Sequence, residues 1–216
     1  MEDAHADAES GPWQPLLDVW FKDDSTGLVV GSYGLVFRTT DGGETWANHA
    51  GSVPNNERLN LNGITQITGG ALFMAAEAGL VLRSTDNGEN WEDIETPYHG
   101  SYFGVVGTGI EDQVLAFGLR GNIYRSEDLG ETWDLIETDI NRTINSGHVG
   151  ADGDIVLVAN DGAILRSSDH GQSFTTYTRI SRHSYVDVLV LDEQGLVLAG
   201  ERGALRTDRS GRDFML

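Results

Sequence analysis

The sequence predicts an all-β protein, a β-propeller of about five four-stranded blades, and three observations lead to this prediction. A nine-residue pattern recurs at intervals of 41 to 45 residues. Short runs of β-branched and apolar residues, separated by turn residues, precede each copy, and helical periodicity is nowhere sustained. Glycine is abundant, with 28 residues against four prolines, as a chain with many tight turns requires.

The repeated pattern sets an arginine, an aspartate, a glycine and an aromatic residue at fixed spacing, and we refer to it as the Asp box. The first copy, Arg38 to Trp46, reads Arg-Thr-Thr-Asp-Gly-Gly-Glu-Thr-Trp. The aspartate, glycine and aromatic positions of the four clear copies are Asp41, Gly43 and Trp46; Asp86, Gly88 and Trp91; Asp128, Gly130 and Trp133; and Asp169, Gly171 and Phe174.

Each Asp box is predicted to be the hairpin between the third and fourth strands of a blade. The aspartate can accept hydrogen bonds from backbone N–H groups of the turn, and the glycine permits a positive φ. The aromatic residue then starts the outer strand and can bury its ring over the hairpin. These residues are therefore expected to serve folding rather than binding.

The strands of each blade follow from the apolar runs. In the first unit we expect strands at Leu17 to Phe21, Leu28 to Gly31 and Leu35 to Thr39, with a short fourth strand at the aromatic. In the second unit the runs are Ile64 to Ile67 and Leu72 to Ala75, followed by a third at Leu80 to Ser84. The predicted propeller covers residues 16–216, with blades at about 16–60, 61–100, 101–143, 144–183 and 184–216.

The fifth unit raises the question of ring closure. Its box, Arg206 to Phe214, carries Arg209 where the aspartate belongs, and it is interpreted as a decayed copy. Residues 1–15 form an acidic N-terminal segment, and its end, Ser10 to Pro15 with Trp13, is a candidate closing strand for the last blade. Two alternatives stay open: a closed five-bladed ring, or part of a larger propeller.

The composition limits the classes of partner. Asp and Glu outnumber Lys and Arg by 34 to 14, which gives a net charge of −20. A field of this sign repels phosphate backbones, so nucleic acid is not expected as a partner. No apolar run is long enough for direct membrane insertion, and the first residues lack the features of a signal peptide.

The arginines that begin the boxes are the candidate binding residues. They occupy one strand position in successive blades, so a ring would array them along an annulus that could grip carboxylates. Pairing with acidic neighbours between blades is the structural alternative. The five residues are Arg38, Arg83, Arg125, Arg166 and Arg206.

The box arginine, joined to a Gly-x-x-Gly or Ala-x-x-Gly step upstream, resembles the photosystem II stability and assembly factor family. The resemblance covers roughly residues 16–214. It implies an Asp-box (BNR-like) propeller that is exported to the periplasm or the cell exterior and binds a protein partner without catalysis. Because members also occur outside photosynthetic organisms, the chain is expected to be a non-photosynthetic bacterial relative. Rings of this family usually have seven blades.

A glycan-binding or sialidase-like propeller is the alternative function. A sialidase needs three arginines converging on one carboxylate, a Tyr–Glu nucleophile and an Asp acid, and no Phe-Arg-Ile-Pro segment of the sialidase type occurs. Cysteine is absent and the six histidines are scattered, so no metal or cofactor is expected. The polar connection Ser52 to Asn60 is a second candidate contact surface.

Overall fold

A computed structural model of the protein describes residues 14–191 and 195–213. In these residues it contains 19 β-strands, arranged in chain order as five antiparallel sheets that form the blades of a β-propeller. The predicted fold class is confirmed. Residues 1–13 and 214–216 lie outside the described part, and with them Trp13, most of the candidate closing strand, and Phe214.

Each blade begins with its innermost strand and runs outward. Blade 1 contains β1 (Leu16–Phe21), β2 (Gly27–Gly31), β3 (Val36–Thr39) and β4 (Ala47–Asn48); blade 2 contains β5 (Leu61–Gln66), β6 (Leu72–Ala76), β7 (Val81–Ser84) and β8 (Glu92–Ile94). Blade 3 contains β9 (Tyr102–Gly107), β10 (Val114–Gly118), β11 (Ile123–Ser126) and β12 (Asp134–Leu135). Blade 4 contains β13 (Ile144–Val149), β14 (Ile155–Ala159), β15 (Ala163–Ser167) and β16 (Thr175–Thr178); blade 5 contains β17 (Tyr185–Val190), β18 (Leu196–Gly200) and β19 (Gly203–Thr207).

The core lies between the blades rather than within them. Successive residues of a strand face opposite sides of a sheet, so an apolar second strand contributes to the packing with both neighbours. Strands β6, β10 and β14 are accordingly buried along their whole length. Between blades 1 and 2, for example, Leu28 packs with Leu61, Leu72 and Trp91. Each such side chain contributes about 1.5 to 3 kcal/mol by leaving water.

The ring is open between its first and last blades within the described residues. Inner strands pack in four successive pairs, β1 on β5, β5 on β9, β9 on β13 and β13 on β17, whereas β17 and β1 show no comparable packing. Leu17, Val19 and Phe21 of β1 are exposed, as are Val186 and Leu189 of β17. The two arrangements that the sequence leaves open, a closed five-bladed ring and part of a larger propeller, both stay predictions.

The turn between the second and third strands repeats in blades 1 to 4 as a short 3-10 turn with left-handed backbone. Its central residue has a positive φ although it is not glycine: Tyr33, Ala78, Arg120 and Asp161. The glycine that follows also has a positive φ, and at Gly79 a Cβ atom would overlap the carbonyl oxygen of Tyr98. This explains the glycine that recurs upstream of each box.

Replacing Gly79 with alanine should therefore destabilise the protein by at least about 2 kcal/mol, since strain at positive φ adds to a collision with backbone. The matched control is Gly203→Ala, where φ is also positive but no atom lies within 4 Å of the added Cβ. It should lose only about 1 kcal/mol. Chemical denaturation of both variants measures the difference, and equal losses would contradict the close approach at Gly79.

Candidate functional site

The Asp-box hairpins are held from within by two side chains. In blade 2, the Oδ1 of Asp86 accepts the Ser84 hydroxyl at 2.8 Å and the backbone N–H of Asn90 at 2.9 Å. The Ser84 hydroxyl oxygen in turn accepts the N–H of Gly88 at 2.9 Å. Equivalent bonds hold the other three turns, through Thr39 and Asp41, Ser126 and Asp128, and Ser167 and Asp169.

The same hydrogen bonds favour the ionised form of the box aspartates. The hydroxyl of Thr45 donates to Asp41 and lowers the pKa of its carboxyl to about 2. The side-chain amide of Asn90 does so for Asp86, whose pKa is also about 2. Because all their bonds go to their own turns, these carboxylates have a structural role and are not available to a ligand.

The fifth hairpin is closed by a different aspartate. Asp208, one position before Arg209, accepts the N–H of Ser210 at 2.8 Å and that of Arg212 at 2.9 Å. The residue at the predicted aspartate position, Arg209, reaches back to blade 4 and pairs with Asp152 and Asp154. The copy is altered in sequence, yet it retains a carboxylate that holds the turn.

The aromatic side chains of the Asp boxes differ in how far they are buried. Trp91 is buried, and its indole N–H donates to the Gly88 carbonyl at 3.2 Å. Trp133 and Phe174 are half-buried against the core. Trp46, in the first blade, is exposed and packs edge-to-face on Phe21 with the ring centroids 6.1 Å apart. The rings are thus covered where a preceding blade is present.

The box arginines of blades 1 to 3 bind the Asp-box hairpin of the following blade. Arg38 pairs with Glu89 at 2.5 Å. Arg83 donates to the Leu129 carbonyl at 2.6 Å and pairs with Glu131 at 2.9 Å. Arg125 donates to the His170 carbonyl at 3.0 Å.

The predicted arginine annulus is consequently occupied by structural contacts. Arg83 also pairs with Glu92 of its own blade, Arg125 with Glu127, and Arg166 with Asp154, where its Nε lies 3.0 Å from the carboxylate. Arg206 lies on the exposed strand β19. Arg38, Arg83 and Arg125 thus contact three separate blade junctions.

The central cavity, of about 590 Å³, is lined by the inner strands of all five blades. Its polar groups include Asp18, Asn62, Asn145 and Asp187, and no arginine or lysine lines it. Burial raises the pKa of the Asp18 carboxyl, and the negative charge of Asp187 adds to the shift. The cavity is therefore unsuited to an anionic ligand.

The polar groups of the cavity link neighbouring inner strands. Asp18 accepts the N–H of Ile64 at 2.8 Å, and the side chain of Asn62 donates to the Tyr102 carbonyl at 2.8 Å. Asn145 donates to the Tyr185 carbonyl at 2.6 Å. These residues were missed in the sequence, although both asparagines stand at the second position of an inner strand.

The two ends of the blades differ in charge. Turns between the first and second strands lie at the same end as the acidic Asp boxes. The opposite end carries the turns between second and third strands and the connections from blade to blade, including the predicted contact segment Ser52 to Asn60. Four arginines there are exposed and have no ion pair or side-chain hydrogen bond among the described residues. We call this surface the arginine face: Arg58, Arg120, Arg182 and Arg202.

Three residues of the arginine face adopt left-handed backbone, with φ of 55° for Arg58 and Arg182 and 63° for Arg120. Arg58 and Arg182 form equivalent turns, in which their N–H groups donate to Asn55 and Arg179 respectively. A non-glycine residue in this conformation costs about 1 to 2 kcal/mol. The fold imposes this conformation on unlike residues, since Tyr33, Ala78 and Asp161 adopt it at the positions equivalent to Arg120.

The same end carries acidic groups as well. Arg142 pairs with Asp161 at 3.0 Å, and Glu77 accepts the N–H of Asn60 at 2.9 Å. Exposed acids also lie on these turns and connections, at Glu57, Glu95, Glu137, Asp139 and Glu201. The arginine face therefore presents exposed guanidinium groups interspersed with carboxylates.

The repeat, the blades and the box hairpins define the class of the protein as an Asp-box β-propeller. The model of the family described as "Photosynthesis system II assembly factor YCF48" matches residues 9–204. The chain belongs to this family, and the recognition of the family from the box arginine and the glycine step is confirmed.

Among curated proteins, the chain is similar to two cyanobacterial proteins named "Photosystem II assembly lipoprotein Ycf48". That of Prochlorococcus marinus strain SARG is 36% identical over 63 residues, which are 26% of this chain and 19% of the relative. That of Synechococcus sp. strain RCC307 is 45% identical over 53 residues, or 24% of this chain and 15% of the relative. The matches thus span less than a fifth of the curated relatives' length.

Solved structures share the fold at low identity. The structure titled "YCF48 bound to D1 peptide" has a TM-score of 0.72 and 19% identity, and covers 91% of this chain and 66% of its own. YCF48 from Cyanidioschyzon merolae has a TM-score of 0.64 and 20% identity, covering 87% and 64%. A glycoside hydrolase of family GH74 from Niastella koreensis also has a TM-score of 0.64, at 14% identity over 86% of this chain and 33% of its own.

Within the described residues, no helix has the length and apolar character needed to span a bilayer. The same part of the chain contains no group of three or more metal-ligating side chains.

Acidification should weaken the box hairpins. A carboxyl whose pKa is about 2 in the folded protein and 3.8 when unperturbed contributes stability at pH values above about 4, and this contribution is lost as the pH falls towards 2. Asp86→Asn, which cannot ionise, should show a smaller fall in unfolding free energy over that interval. Urea denaturation between pH 5 and about 2 measures the slope; an unchanged slope would contradict the role of Asp86.

Removing a box arginine should act on stability. Arg125 is buried, and its guanidinium donates to Gln113 at 2.7 Å as well as to His170. Arg125→Gln should lose about 2 to 3 kcal/mol because these acceptors are left unpaired. The control Arg58→Gln, at an exposed position, should change stability by less than about 0.5 kcal/mol. Thermal and urea unfolding compare the two.

Proposed function

We propose that this protein is a non-catalytic binding module of the assembly-factor type, and that it holds an acidic segment of a client protein on the arginine face. The single observation that carries the proposal is the contrast between two sets of arginines. The box arginines of blades 1 to 4 are engaged in ion pairs and hydrogen bonds, whereas Arg58, Arg120, Arg182 and Arg202 point from connections into solvent.

The chemistry of the arginine face suits carboxylates. A guanidinium group offers donors in a planar fork that matches a carboxylate in two parallel hydrogen bonds. Connections on a rigid scaffold are frequent contact sites because they can vary without disturbing the core. The acidic Asp-box end repels acidic segments, so it favours the opposite end, where the arginine face lies, for such a client.

The geometry gives no support to the glycan-hydrolysing alternative. Arg38, Arg83 and Arg125 serve different blade junctions, so they do not form the three-arginine cluster that a sialidase requires. Asp18 and Asp187, which flank the central cavity, both accept hydrogen bonds that link blades. The hydrolase among the structural neighbours shares the fold alone, and folds of this kind host unrelated functions.

The relatives indicate which cellular location and which kind of client to expect for this protein. Curated relatives are named lipoproteins, which supports an exported location for this protein. One structural relative is titled as a complex with a D1 peptide, so a peptide segment is a client of the expected type. A non-photosynthetic host stays a prediction from the sequence, and the client of this protein is identified by its chemistry alone: an extended segment that carries carboxylates.

The arginine face is tested by a variant in which Arg58, Arg120, Arg182 and Arg202 are all replaced by glutamine. We expect the D1 peptide, or an acidic protein captured from native extract, to bind the parent protein and to bind this variant at least about tenfold more weakly, equivalent to about 1.4 kcal/mol. Isothermal titration calorimetry and affinity capture provide the measurements.

A control replaces two cations at the opposite, Asp-box end of the blades: Arg38, which is in an ion pair, and the exposed Lys22. Because it removes charge without touching the arginine face, binding should stay within about twofold of the parent. Equal losses in both variants would show a nonspecific charge effect, and unchanged binding in the fourfold variant would overturn the proposed site.

A further inference from the structure

A cavity of about 400 Å³ lies in blade 2, at the end of the blade opposite its Asp box. It is bounded by the turn at Ala78 and Gly79, by the end of β8, and by the two connections that enter and leave the blade. Ligand pockets commonly have volumes of about 300 to 1,000 Å³. The cavity is therefore large enough to receive a side chain of a partner.

The repeat forms an equivalent cavity in blade 1, of about 500 Å³. Tyr33 lines it at the position that Ala78 has in blade 2. Asn48 lines it at the strand position that Asp93 has in blade 2. The recess thus comes from the architecture of the blade, and the side chains around it decide what each copy can bind.

The inner wall of the blade 2 cavity is apolar. Ile94 is buried, and Leu59 and Leu80 are half-buried, and all three line the cavity. Thr96 is buried beside them, and its hydroxyl donates to the Gly79 carbonyl at 2.9 Å. This wall suits the methylene groups of a side chain, which gain free energy by leaving water.

The outer rim of the cavity is acidic. Glu57, Asp93 and Glu95 line it and are exposed, and within residues 14–191 and 195–213 their carboxylates have no ion pair or side-chain hydrogen bond. His99 is the other titratable residue of the lining, and it is exposed as well. Arg58, next to Glu57 in the chain, lines the cavity of blade 1 instead.

The acid on the fourth strand distinguishes blade 2 from the neighbouring blades. At the position that pairs with the residue before the box arginine, blade 2 has Asp93, whereas blades 1, 3 and 4 have Asn48, Leu135 and Thr176. A single exposed ion pair contributes little. Three carboxylates around one recess with apolar walls act together on the same cation, because the recess concentrates their field.

We propose that this cavity binds an arginine side chain of a protein partner. The methylene groups of the arginine lie against the apolar inner wall, and its guanidinium group reaches the carboxylates at the rim. A hydrated metal ion has no hydrocarbon stem to place against that wall, and lysine offers a point charge rather than a planar fork of donors. The inference goes beyond the arginine face and does not rest on it, since it concerns a ligand of the opposite charge.

N-acetyl-arginine amide is the probe, and its citrulline analogue, of nearly the same shape but neutral, is the control. Titration of the full chain, labelled with nitrogen-15, is followed by NMR. The arginine probe should shift the amide signals of Glu57 and of residues 93–96 in a saturable way. The citrulline analogue should bind at least about tenfold more weakly. This comparison needs no substitution in the protein.

A triple variant, Glu57→Gln, Asp93→Asn and Glu95→Gln, removes the acidic rim. Blade 1 carries Asn48 where blade 2 has Asp93, so the strand accommodates this amide. The variant should bind the arginine probe at least about tenfold more weakly than the parent, and its binding of the citrulline analogue should stay unchanged.

The matched control variant changes the net charge by the same amount at the Asp-box end, through Asp24→Asn, Glu44→Gln and Glu111→Gln. All three acids are exposed. Binding of the arginine probe should stay within about twofold of the parent, because these positions lie outside the cavity. Urea unfolding compares both variants with the parent.

Three results would overturn the proposal. Equal binding of the arginine probe and the citrulline analogue would show that the rim does not recognise charge. Shifts confined to other blades would place the probe outside the cavity. Equal losses in the two triple variants would reduce the effect to net charge. Loss of D1 peptide binding in the arginine-face variant bears only on the proposed function.

Discussion

The hydroxyl–carboxylate pair inside each Asp box is the interaction on which the other contacts of the propeller depend. A hairpin held by its own side chains has a fixed shape before any neighbour packs on it. The pair Ser84 and Asp86 accepts hydrogen bonds from the N–H groups of Gly88 and Asn90 and from the side-chain amide of Asn90, at a net gain of about 0.5 to 1.5 kcal/mol for each bond. Because the turn is rigid, its carbonyl and acidic groups become a fixed target for the arginine of the preceding blade.

The junction between blades 4 and 5 shows how this scheme tolerates change. Arg209 stands where the other boxes have aspartate, and it binds Asp152 and Asp154 of the preceding blade. Asp208 takes over the bonds of the turn. The ionic contact between blades is therefore kept with its direction reversed, since here the box supplies the cation.

The proposed function follows from one physical fact: most polar and charged side chains of the repeat are already engaged in structural contacts. Box aspartates bond their own turns, the box arginines of blades 1 to 3 bond the next blade, and the cavity groups link inner strands. The exposed arginines of the arginine face lie instead in turns and connections at one end of the blades. These segments vary from blade to blade, which is where a repeat protein can acquire a partner without losing its core.

The sequence alone determined the class of fold, the number of repeated units and the family, because Asp-box spacing and strand patterning are local features that each unit repeats. It also indicated the turn-forming role of residues such as Asp86 and Gly88. The sequence did not decide whether the box arginines bind a partner's carboxylates or pair with neighbouring blades, since it does not reveal whether the next hairpin lies within reach of the side chain. The tertiary structure shows that the next hairpin is within reach, because Arg38 contacts Glu89 across a blade junction.

The inner-strand links and the exposure of Leu205 likewise required the assembled blades. Asn62 and Tyr102 are 40 residues apart and meet only when two blades stack. The exposure of Leu205 depends on what surrounds blade 5, which the composition of its strand does not encode. Local sequence thus specified each blade, whereas the packing of one blade on the next decided which side chains remain available for function.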